Sequence, residues 1–245
     1  MQRIDTKPWI ALFVVVALLA SLATHALRAA PPEADAAPAK DAQKASRTLG
    51  IVLYPGFELL DVYGPAEVFG NLTGRLKIVM IADKAGPVAS TQGPKTVADF
   101  GFDDCPPLDL LLVPGGFGTF AQLNNSAMLD WLRKRSETAE ITMSVCSGSA
   151  ILAKAGLLDG RRATSNKQYF QLAVAQGPKV EWVKKARWVD DGKMVTSSGV
   201  SAGIDMALHV IERLYGTQVA ESIANGTEYQ WHRDADNDPF VRFAR

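Results

Sequence analysis

The chain has 245 residues with 26 basic and 26 acidic side chains, and therefore carries no formal net charge. A neutral chain has no electrostatic attraction for nucleic acid or for an acidic membrane surface, so we expect neither as a binding partner. Its 47% of hydrophobic residues is typical of a globular protein. Two cysteines and three histidines are too few and too dispersed for a zinc framework, and we expect no metal and no other cofactor.

The beginning of the chain differs in composition from the rest. A short basic stretch precedes an apolar run over residues 9–26, which is typical of a secretory signal, with an N-terminal membrane anchor as the alternative. Residues 28–47 are rich in Ala and Pro and contain almost no large apolar side chain, which predicts a linker. We therefore predict a signal peptide or anchor over residues 1–27 and a folded domain over 48–245. The domain would be periplasmic, or anchored in the inner membrane and facing outward, with membrane contact only through 9–26 if that segment is not cleaved.

The domain alternates short apolar runs with stretches of helical periodicity. Runs typical of strands buried on both faces lie at 49–55, 77–82, 108–114 and 141–146. Helical stretches lie at 58–70, 119–137 and 201–216, and hairpin patterns at 88–99 and 187–198. We expect Leu60, Tyr63 and Phe120 on the buried faces of their helices. The alternation predicts an α/β fold: a single doubly wound domain whose mostly parallel central sheet is covered by helices on both faces.

The carboxyl ends of the strands are where such a fold places its functional groups. Cys146 stands at one of these ends, in the pentapeptide Ser-Val-Cys-Ser-Gly between a strand and a helix. Small residues two positions before and two after a nucleophile let the backbone turn sharply and expose the side chain. The positive end of the following helix would favour the thiolate form. The pattern predicts that Cys146 is the reactive centre, and a small buried cysteine that only fills space is the alternative.

Two other strand ends carry candidate groups. Gly115 and Gly116 close the strand at 108–114, where a backbone N–H could stabilise an oxyanion, although a simple turn would use the same residues. Asp61 lies inside an apolar run near the start of the first helix, where a carboxylate could merely cap the helix. Buried beside a thiolate, Asp61 would instead have a raised pKa. Once protonated, it could donate a hydrogen bond to the sulfur or transfer a proton.

These motifs together resemble the ThiJ/PfpI family, within the class I glutamine-amidotransferase-like, flavodoxin-like fold. The similarity covers residues 48–240 and is carried by GIVLYPGFELLDVYGPAEVFG, DLLLVPGG, SVCSGSAILAKAGLLDGRRAT and GTEYQWHRDADNDPF. The isocyanide hydratases and the sensor domains of some AraC-type regulators are its most similar branch, and we expect a hydratase because no DNA-binding helices follow the domain. The resemblance implies that Cys146 is the nucleophile, Asp61 its acidic partner, Ser147 a second required side chain, and Gly116 part of the oxyanion pocket.

One segment departs from the family pattern. Many relatives have a histidine after the GRRAT motif, whereas this sequence reads Thr-Ser-Asn-Lys at 164–167. His209 and His232 do not match that motif, and we interpret both as structural. A Cys–His–acid triad is therefore not expected, and a Cys146–Asp61 pair remains, which disfavours an amidase or a peptidase.

The second cysteine offers a test of the predicted topology. Cys105 precedes its strand, whereas Cys146 ends a neighbouring one. If the two strands are parallel, the sulfurs lie about 15–20 Å apart, at opposite ends of the sheet. A disulfide requires Cα atoms within about 7 Å, so we expect no bridge between them.

We therefore predict a cysteine-dependent enzyme that acts on a small electrophile, a hydratase or lyase of the isocyanide type that uses Cys146 with Asp61. Its partners would be a small-molecule substrate and a second copy of the chain in a homodimer. The alternative is a non-catalytic module of the cell envelope that binds a ligand or senses oxidation. A scaffold whose membrane segment and dimer surface matter more than its pocket is a third hypothesis.

Overall fold

The computed structural model describes residues 46–244, so the predicted signal or anchor and nearly all of the predicted linker lie outside the described residues. The elements in chain order are β1 (Arg47–Val52), α1 (Leu59–Gly70), β2 (Leu76–Ile81), β3 (Gly86–Ala89), β4 (Lys95–Ala98), β5 (Leu110–Val113), α2 (Thr119–Gln122), α3 (Ser126–Thr138), β6 (Ile141–Ser144), α4 (Gly148–Lys154), β7 (Arg162–Ala163), α5 (Phe170–Gln176), β8 (Glu181–Trp182), β9 (Trp188–Asp191), β10 (Met194–Ser197), α6 (Ala202–Tyr215), α7 (Thr217–Gly226) and a 3-10 turn (Val241–Phe243). Within this part of the chain, no helix combines the length and the apolar character needed to cross a bilayer.

The central sheet has six strands in the order β2–β1–β5–β6–β10–β9. Each strand pairs in parallel with its neighbour except β9, which forms an antiparallel hairpin with β10. The strands β5 and β6 are buried at every residue, as their continuous apolar sequences predict. Helix α6 packs with α1 and α7, and α4 packs with α2, α3 and α5. The predicted α/β class with a mostly parallel central sheet is confirmed.

The local elements follow the sequence pattern with two differences. The stretch at 119–137 forms two helices rather than one, because the side chain of Asn125 accepts a hydrogen bond from the N–H of Met128 and caps a new helix, α3. Helix α7 follows α6 directly after Gly216, which has a φ of 92°, and was not expected from the sequence. Both predicted hairpins form, β3 with β4 and β9 with β10.

Three side chains expected on buried helix faces are exposed: Leu60, Tyr63 and Phe120. Helix α1 contacts the core through a stripe that includes Val62 and Phe69, which lie seven residues apart and therefore on the same face. Leu60 and Tyr63 lie outside that stripe. Phe120 belongs to a helix of only four residues and borders a cavity instead of the core.

The parallel sheet determines which segments meet at its carboxyl edge. The loops after β1, β5, β6 and β10 all leave from this edge, which brings Cys146 near the start of α1. Because β5 and β6 run in parallel, Cys105 and Cys146 lie at opposite ends of them, and both are free thiols. At the other edge β1 begins at Arg47, one residue before the predicted domain start, and its guanidinium is 2.8 Å from the carboxylate of Glu140.

Candidate active site

Cys146 lies on the turn between β6 and α4 and has a φ of 58°. This left-handed conformation is strained for a residue with a Cβ, and it persists only where the surroundings determine it. The N–H of Cys146 donates to the carbonyl oxygen of Ser198 at 3.1 Å. Its carbonyl oxygen accepts from the hydroxyls of Ser149 and Ser165, each at 3.2 Å. The sharp strand-to-helix turn predicted from the sequence is therefore present and held from three sides.

Gly148 explains why this turn can be so tight. A Cβ at Gly148 would lie 2.2 Å from the carbonyl oxygen of Val113 and 2.8 Å from that of Pro114. Both atoms belong to the backbone at the end of β5, which cannot move aside as a flexible side chain would. Glycine two residues after the cysteine lets α4 begin directly against the neighbouring strand.

Asp61 lies in the first turn of α1 and is fully buried. Its Oδ2 accepts a hydrogen bond of 2.7 Å from the backbone N–H of Gly115. Its Oδ1 has no hydrogen-bond partner among the described residues. Gly115, one of the two glycines considered for an oxyanion pocket, thus uses its N–H to orient Asp61. A proton on Oδ1 would be free to form a hydrogen bond with the neighbouring sulfur of Cys146.

The two groups titrate as one pair. Burial raises the pKa of Asp61 well above its ordinary value, while the N–H of Gly115 opposes this shift. Burial likewise raises the pKa of Cys146, and the charge of Asp61 raises it further. Ionising both would place two negative charges in one buried site, so the ionisation of one group opposes that of the other. The sequence predicted that the start of α4 would favour the thiolate, but the pKa of Cys146 is raised, because burial outweighs the opposing hydrogen bonds from the Ser147 N–H and from Asn166.

Asn166 makes a contact with the sulfur that the sequence did not reveal. It stands in the Thr-Ser-Asn-Lys segment at 164–167, and its Nδ2 donates to the Sγ of Cys146 at 3.1 Å. Its Oδ1 accepts from the backbone N–H of Tyr169 at 3.2 Å, and this contact fixes which end of the amide faces the sulfur. The amide of Asn166 lowers the pKa of Cys146 and so opposes the effect of burial.

Ser147 lies beside the cysteine in a group of buried hydroxyls. Its Oγ accepts from the N–H of Gly116 at 3.2 Å and lies 2.9 Å from the Oγ1 of Thr119. The hydroxyl of Tyr54 lies 3.2 Å from that same Oγ1 and donates to the carbonyl oxygen of Pro114 at 2.6 Å. The structure therefore brings Cys146, Ser147, Gly116 and, through Gly115, Asp61 together, whereas nothing in the sequence indicated Thr119 or Tyr54.

A cavity of about 190 Å³ opens over Cys146 and Ser147. This volume is below the range of about 300–1,000 Å³ that is usual for pockets that bind drug-sized ligands. Phe117, Phe120 and Tyr169 form an aromatic rim around it, with the ring of Tyr169 edge-on to the other two at 6.2 and 6.5 Å. A polar floor under an aromatic rim suits a small molecule with an apolar substituent.

The histidines His209 and His232 lie away from this cavity. The Nε2 of His209 is 2.8 Å from a carboxylate oxygen of Asp190, and the ring of His232 is 3.3 Å from the carbonyl oxygen of Asn237. Neither lines the cavity over Cys146. Between residues 46 and 244 there is also no cluster of His, Cys, Asp and Glu that could hold a metal ion.

The domain is a doubly wound α/β fold with a cysteine on a strained strand-to-helix turn. A buried acid lies beside that cysteine. Together these features define a class of cysteine-centred α/β proteins. The chain belongs to the DJ-1/PfpI family, whose sequence profile matches residues 47–213. It is 35% identical over 181 residues to isonitrile hydratase from Pseudomonas putida. The match covers 74% of this chain and 78% of that protein. The family resemblance inferred from the sequence motifs is thereby confirmed.

Other relatives support the same fold. The crystal structure of a ThiJ/PfpI family protein from Pseudomonas syringae has a TM-score of 0.68 and 34% identity, and the match covers 86% of this chain and 84% of that one. Drosophila melanogaster DJ-1beta has a TM-score of 0.67 at 23% identity, over 76% of this chain and all of that one, and shows the fold alone. The regulator CdhR of Pseudomonas aeruginosa is 30% identical over 185 residues. The match covers 73% of this chain but only about half (54%) of the regulator.

Proposed function

We propose that this protein is a cysteine-dependent enzyme that adds water to a small electrophile, a hydratase of the isocyanide type. The observation that carries the proposal is the set of contacts around Cys146. Its sulfur neighbours the buried carboxyl of Asp61, accepts a hydrogen bond from Asn166 and borders a small cavity with an aromatic rim. The similarity to the isonitrile hydratase of Pseudomonas putida supports the choice of substrate class.

The first half of the reaction uses the pair in its thiolate form, with the proton on Asp61. The sulfur of Cys146 attacks the terminal carbon of the isocyanide and forms a C–S bond. Asp61 delivers its proton to the same carbon, which gives a thioimidate and leaves Asp61 as a carboxylate. Burial supports this role, because it raises the pKa of Asp61 well above its ordinary value and so favours the protonated carboxyl.

The second half consumes water and restores the pair. The oxygen of a water molecule bonds to the thioimidate carbon, and one of its protons passes to the nitrogen. When the C–S bond breaks and the carbonyl forms, the remaining water proton passes to the carboxylate of Asp61 and the sulfur leaves as thiolate. The isocyanide and one water thus become a formamide, and Cys146 and Asp61 return to their starting state.

The experiment that tests this proposal measures formamide production from a small isocyanide by wild type, Cys146→Ser, Asp61→Asn and Cys105→Ser. Cys105 is a matched control because it is the other cysteine of the chain, is also buried, and lies at the opposite end of the sheet. We expect turnover by wild type and Cys105→Ser, and its loss in Cys146→Ser and Asp61→Asn. Undiminished formamide production by Cys146→Ser would refute the proposal.

A second candidate function is ligand or redox sensing without turnover. It is favoured by the similarity to the regulator CdhR and by the position of Cys146 at a cavity that small oxidants can enter. Mass spectrometry after mild peroxide treatment tests redox sensing, since a sensor would carry sulfenic or sulfinic acid at Cys146. Modification of Cys105 with Cys146 left as a free thiol would rule it out.

The location of the protein and its assembly are further proposals that depend on other measurements. Export from the cytoplasm, with cleavage or anchoring of residues 1–27, is tested by N-terminal sequencing of the mature protein from fractionated cells. The homodimer is tested by sedimentation equilibrium of the folded domain. Intact Met1 on cytoplasmic protein would contradict the first proposal, and a monomer at micromolar concentration the second.

A further inference from the structure

Three hydroxyls and one carbonyl form a continuous hydrogen-bonded chain behind the cavity. The carbonyl oxygen of Pro114 lies 2.6 Å from the Oη of Tyr54, which lies 3.2 Å from the Oγ1 of Thr119. That atom in turn lies 2.9 Å from the Oγ of Ser147. All three side chains are buried, so protein groups rather than solvent decide the direction in which each hydroxyl points.

The carbonyl oxygen of Pro114 fixes the direction in which every hydrogen bond of this series is donated. A carbonyl oxygen can only accept, so Tyr54 donates its single proton to Pro114. The oxygen of Tyr54 therefore accepts from Thr119, whose only hydroxyl proton is used in that contact. Thr119 can then only accept from Ser147. The donors run in one direction, from Ser147 to Thr119, from Thr119 to Tyr54, and from Tyr54 to Pro114.

We infer that this series of hydrogen bonds makes Ser147 an obligatory hydrogen-bond acceptor towards the cavity. Thr119 and Tyr54 are the positioning residues that impose this direction. The proton of Ser147 points away from the ligand, and one lone pair receives the N–H of Gly116 at 3.2 Å. One lone pair remains for a ligand that carries a polar hydrogen.

In the proposed hydration, on which this assignment of a ligand rests, that ligand is the attacking water. By accepting one O–H of the water, Ser147 turns a lone pair of the water oxygen towards the thioimidate carbon on Cys146. A hydroxyl that donated instead would occupy that lone pair and weaken the nucleophile. The direction of the buried chain therefore decides whether the residue after the cysteine assists or opposes the second half of the reaction.

The groups that surround the site preserve this polarity over a wide pH range. Burial raises the pKa of Tyr54 well above its ordinary value, so the phenol keeps the proton that starts the chain. Among the described residues, the other titratable groups that face the sulfur or line the cavity are Asp61 on α1, Glu58 just before it, and Tyr169 just before α5. Asn166 faces the sulfur as a neutral donor.

The test is Thr119→Val, which removes the acceptor of the Ser147 proton without changing the size of the side chain. The freed proton can then turn towards the sulfur of Cys146 and stabilise its thiolate. We expect the midpoint of iodoacetamide alkylation of Cys146 to move down by about one pH unit. Formamide turnover should fall by about tenfold or more, because the water loses its acceptor. A variant whose packing was only disturbed would lose turnover without lowering the pKa of Cys146.

Three further variants complete the experiment. Tyr54→Phe frees the proton of Thr119 and then that of Ser147, so it should shift the alkylation midpoint in the same direction. Thr119→Ser keeps the hydroxyl and should restore both readouts towards wild type. Thr142→Val is the matched control, because it removes another buried threonine hydroxyl. That hydroxyl donates to Ser136 at 3.0 Å and is not part of the hydrogen-bonded series from Ser147 to Pro114.

The outcomes separate this inference from the proposed function. An alkylation midpoint that is unchanged or raised in both Thr119→Val and Tyr54→Phe would overturn the inferred direction of the chain. Full turnover in Thr119→Val would overturn the role of Ser147 in holding the water. Because alkylation needs no isocyanide, a wild type that makes no formamide would refute the hydratase proposal, while the alkylation profiles would still decide the polarity of Ser147.

Discussion

The side-chain nitrogen of Asn166 lies 3.1 Å from the sulfur of Cys146, in the segment after the GRRAT motif where the family resemblance had led us to look for a histidine. An imidazole in this position could take the proton of the thiol, but a carboxamide cannot, because its nitrogen only donates. Asn166 therefore stabilises a thiolate without creating it. In the proposed reaction the proton moves instead to Asp61, whose pKa is raised by burial.

The first prediction concerns Asn166→Ala, which removes the hydrogen bond to the sulfur. Because a hydrogen bond to a charged group contributes about 1.5–3 kcal/mol, we expect alkylation of Cys146 at pH 7 to slow by about tenfold. Iodoacetamide kinetics across a pH series measure the effect. Asn71→Ala is the control, since that amide donates to the carbonyl oxygen of Glu67 at the end of α1 and does not line the cavity over Cys146. Equal alkylation rates in Asn166→Ala and wild type would show that the contact does not stabilise the thiolate.

The second prediction concerns Asp61→Asn, which should make Cys146 easier to alkylate and at the same time slow formamide turnover. In wild type part of the sulfur stays protonated while Asp61 is a carboxylate, because that charge raises the pKa of Cys146. Asp61→Asn removes this form, so the pKa of Cys146 falls and alkylation is complete at lower pH. Formamide turnover falls by about 100-fold or more, because no group remains to carry the proton. A pH series of both rates on the same preparation measures the effect. Alkylation that shifts to higher pH would contradict the coupling between Asp61 and Cys146.

The third prediction concerns the aromatic rim. Phe120→Ala should raise KM for an isocyanide with a large apolar substituent by about 5- to 30-fold, because about 1–2 kcal/mol of apolar contact is lost. The kcat value should change little, since Phe120 lies on the rim of the cavity and offers no polar atom to the reacting groups. Phe243→Ala is the control, another exposed aromatic that does not line this cavity. An unchanged KM with the bulky substrate would remove Phe120 from the binding site.

The fourth prediction concerns the glycine that permits the turn. Gly148→Ala should lower the free energy of unfolding by about 1–3 kcal/mol, because its Cβ would overlap the backbone at the end of β5. Gly226→Ala, at the end of α7, is the matched control: no atom would lie within 4 Å of its Cβ. That control should be neutral, or stabilising by less than about 1 kcal/mol. Urea unfolding of both variants measures the difference, and equal stabilities would contradict the steric argument.

The fifth prediction concerns a buried lysine near the site. The Nζ of Lys167 donates to the carbonyl oxygen of Ala186 at 2.6 Å and to Thr164 Oγ1 at 3.0 Å, and lies 3.7 Å from Asp238. Burial lowers its pKa from 10.5 to about 8. Between these two values the unfolded chain binds a proton that the folded chain has released, so stability rises with pH. Below pH 8 both states are protonated and the contribution is constant.

Urea unfolding at pH 7.5 and 9.5 tests this expectation. Relative to the double variant Lys167→Met with Asp238→Asn, wild type should gain stability at the higher pH, on the order of 1 kcal/mol. The double variant is the appropriate reference because removing Lys167 alone would leave the buried carboxyl of Asp238 without a counter-charge. A constant difference between the two proteins would show that Lys167 titrates normally.

The predictability of the fold differs from element to element for physical reasons. The strands β5 and β6 were predictable because burial on both faces leaves a continuous apolar run, which local sequence reveals. The break between α2 and α3 depends on a single side-chain cap at Asn125. The exposure of Phe120 depends on what packs around its helix, which periodicity alone does not show.

The sequence by itself determined that Cys146, Asp61 and the two glycines after β5 meet, because parallel strands in a doubly wound sheet bring their carboxyl ends to one edge. It also determined the tight turn, through the glycine two residues after the cysteine. Only the tertiary structure decided what these groups do to one another. The contact of Asn166 with the sulfur joins residues 20 apart, and that of Tyr54 with Thr119 joins residues 65 apart. Protonation and hydroxyl direction depend on burial and on distances of a few tenths of an ångström, which no local pattern encodes.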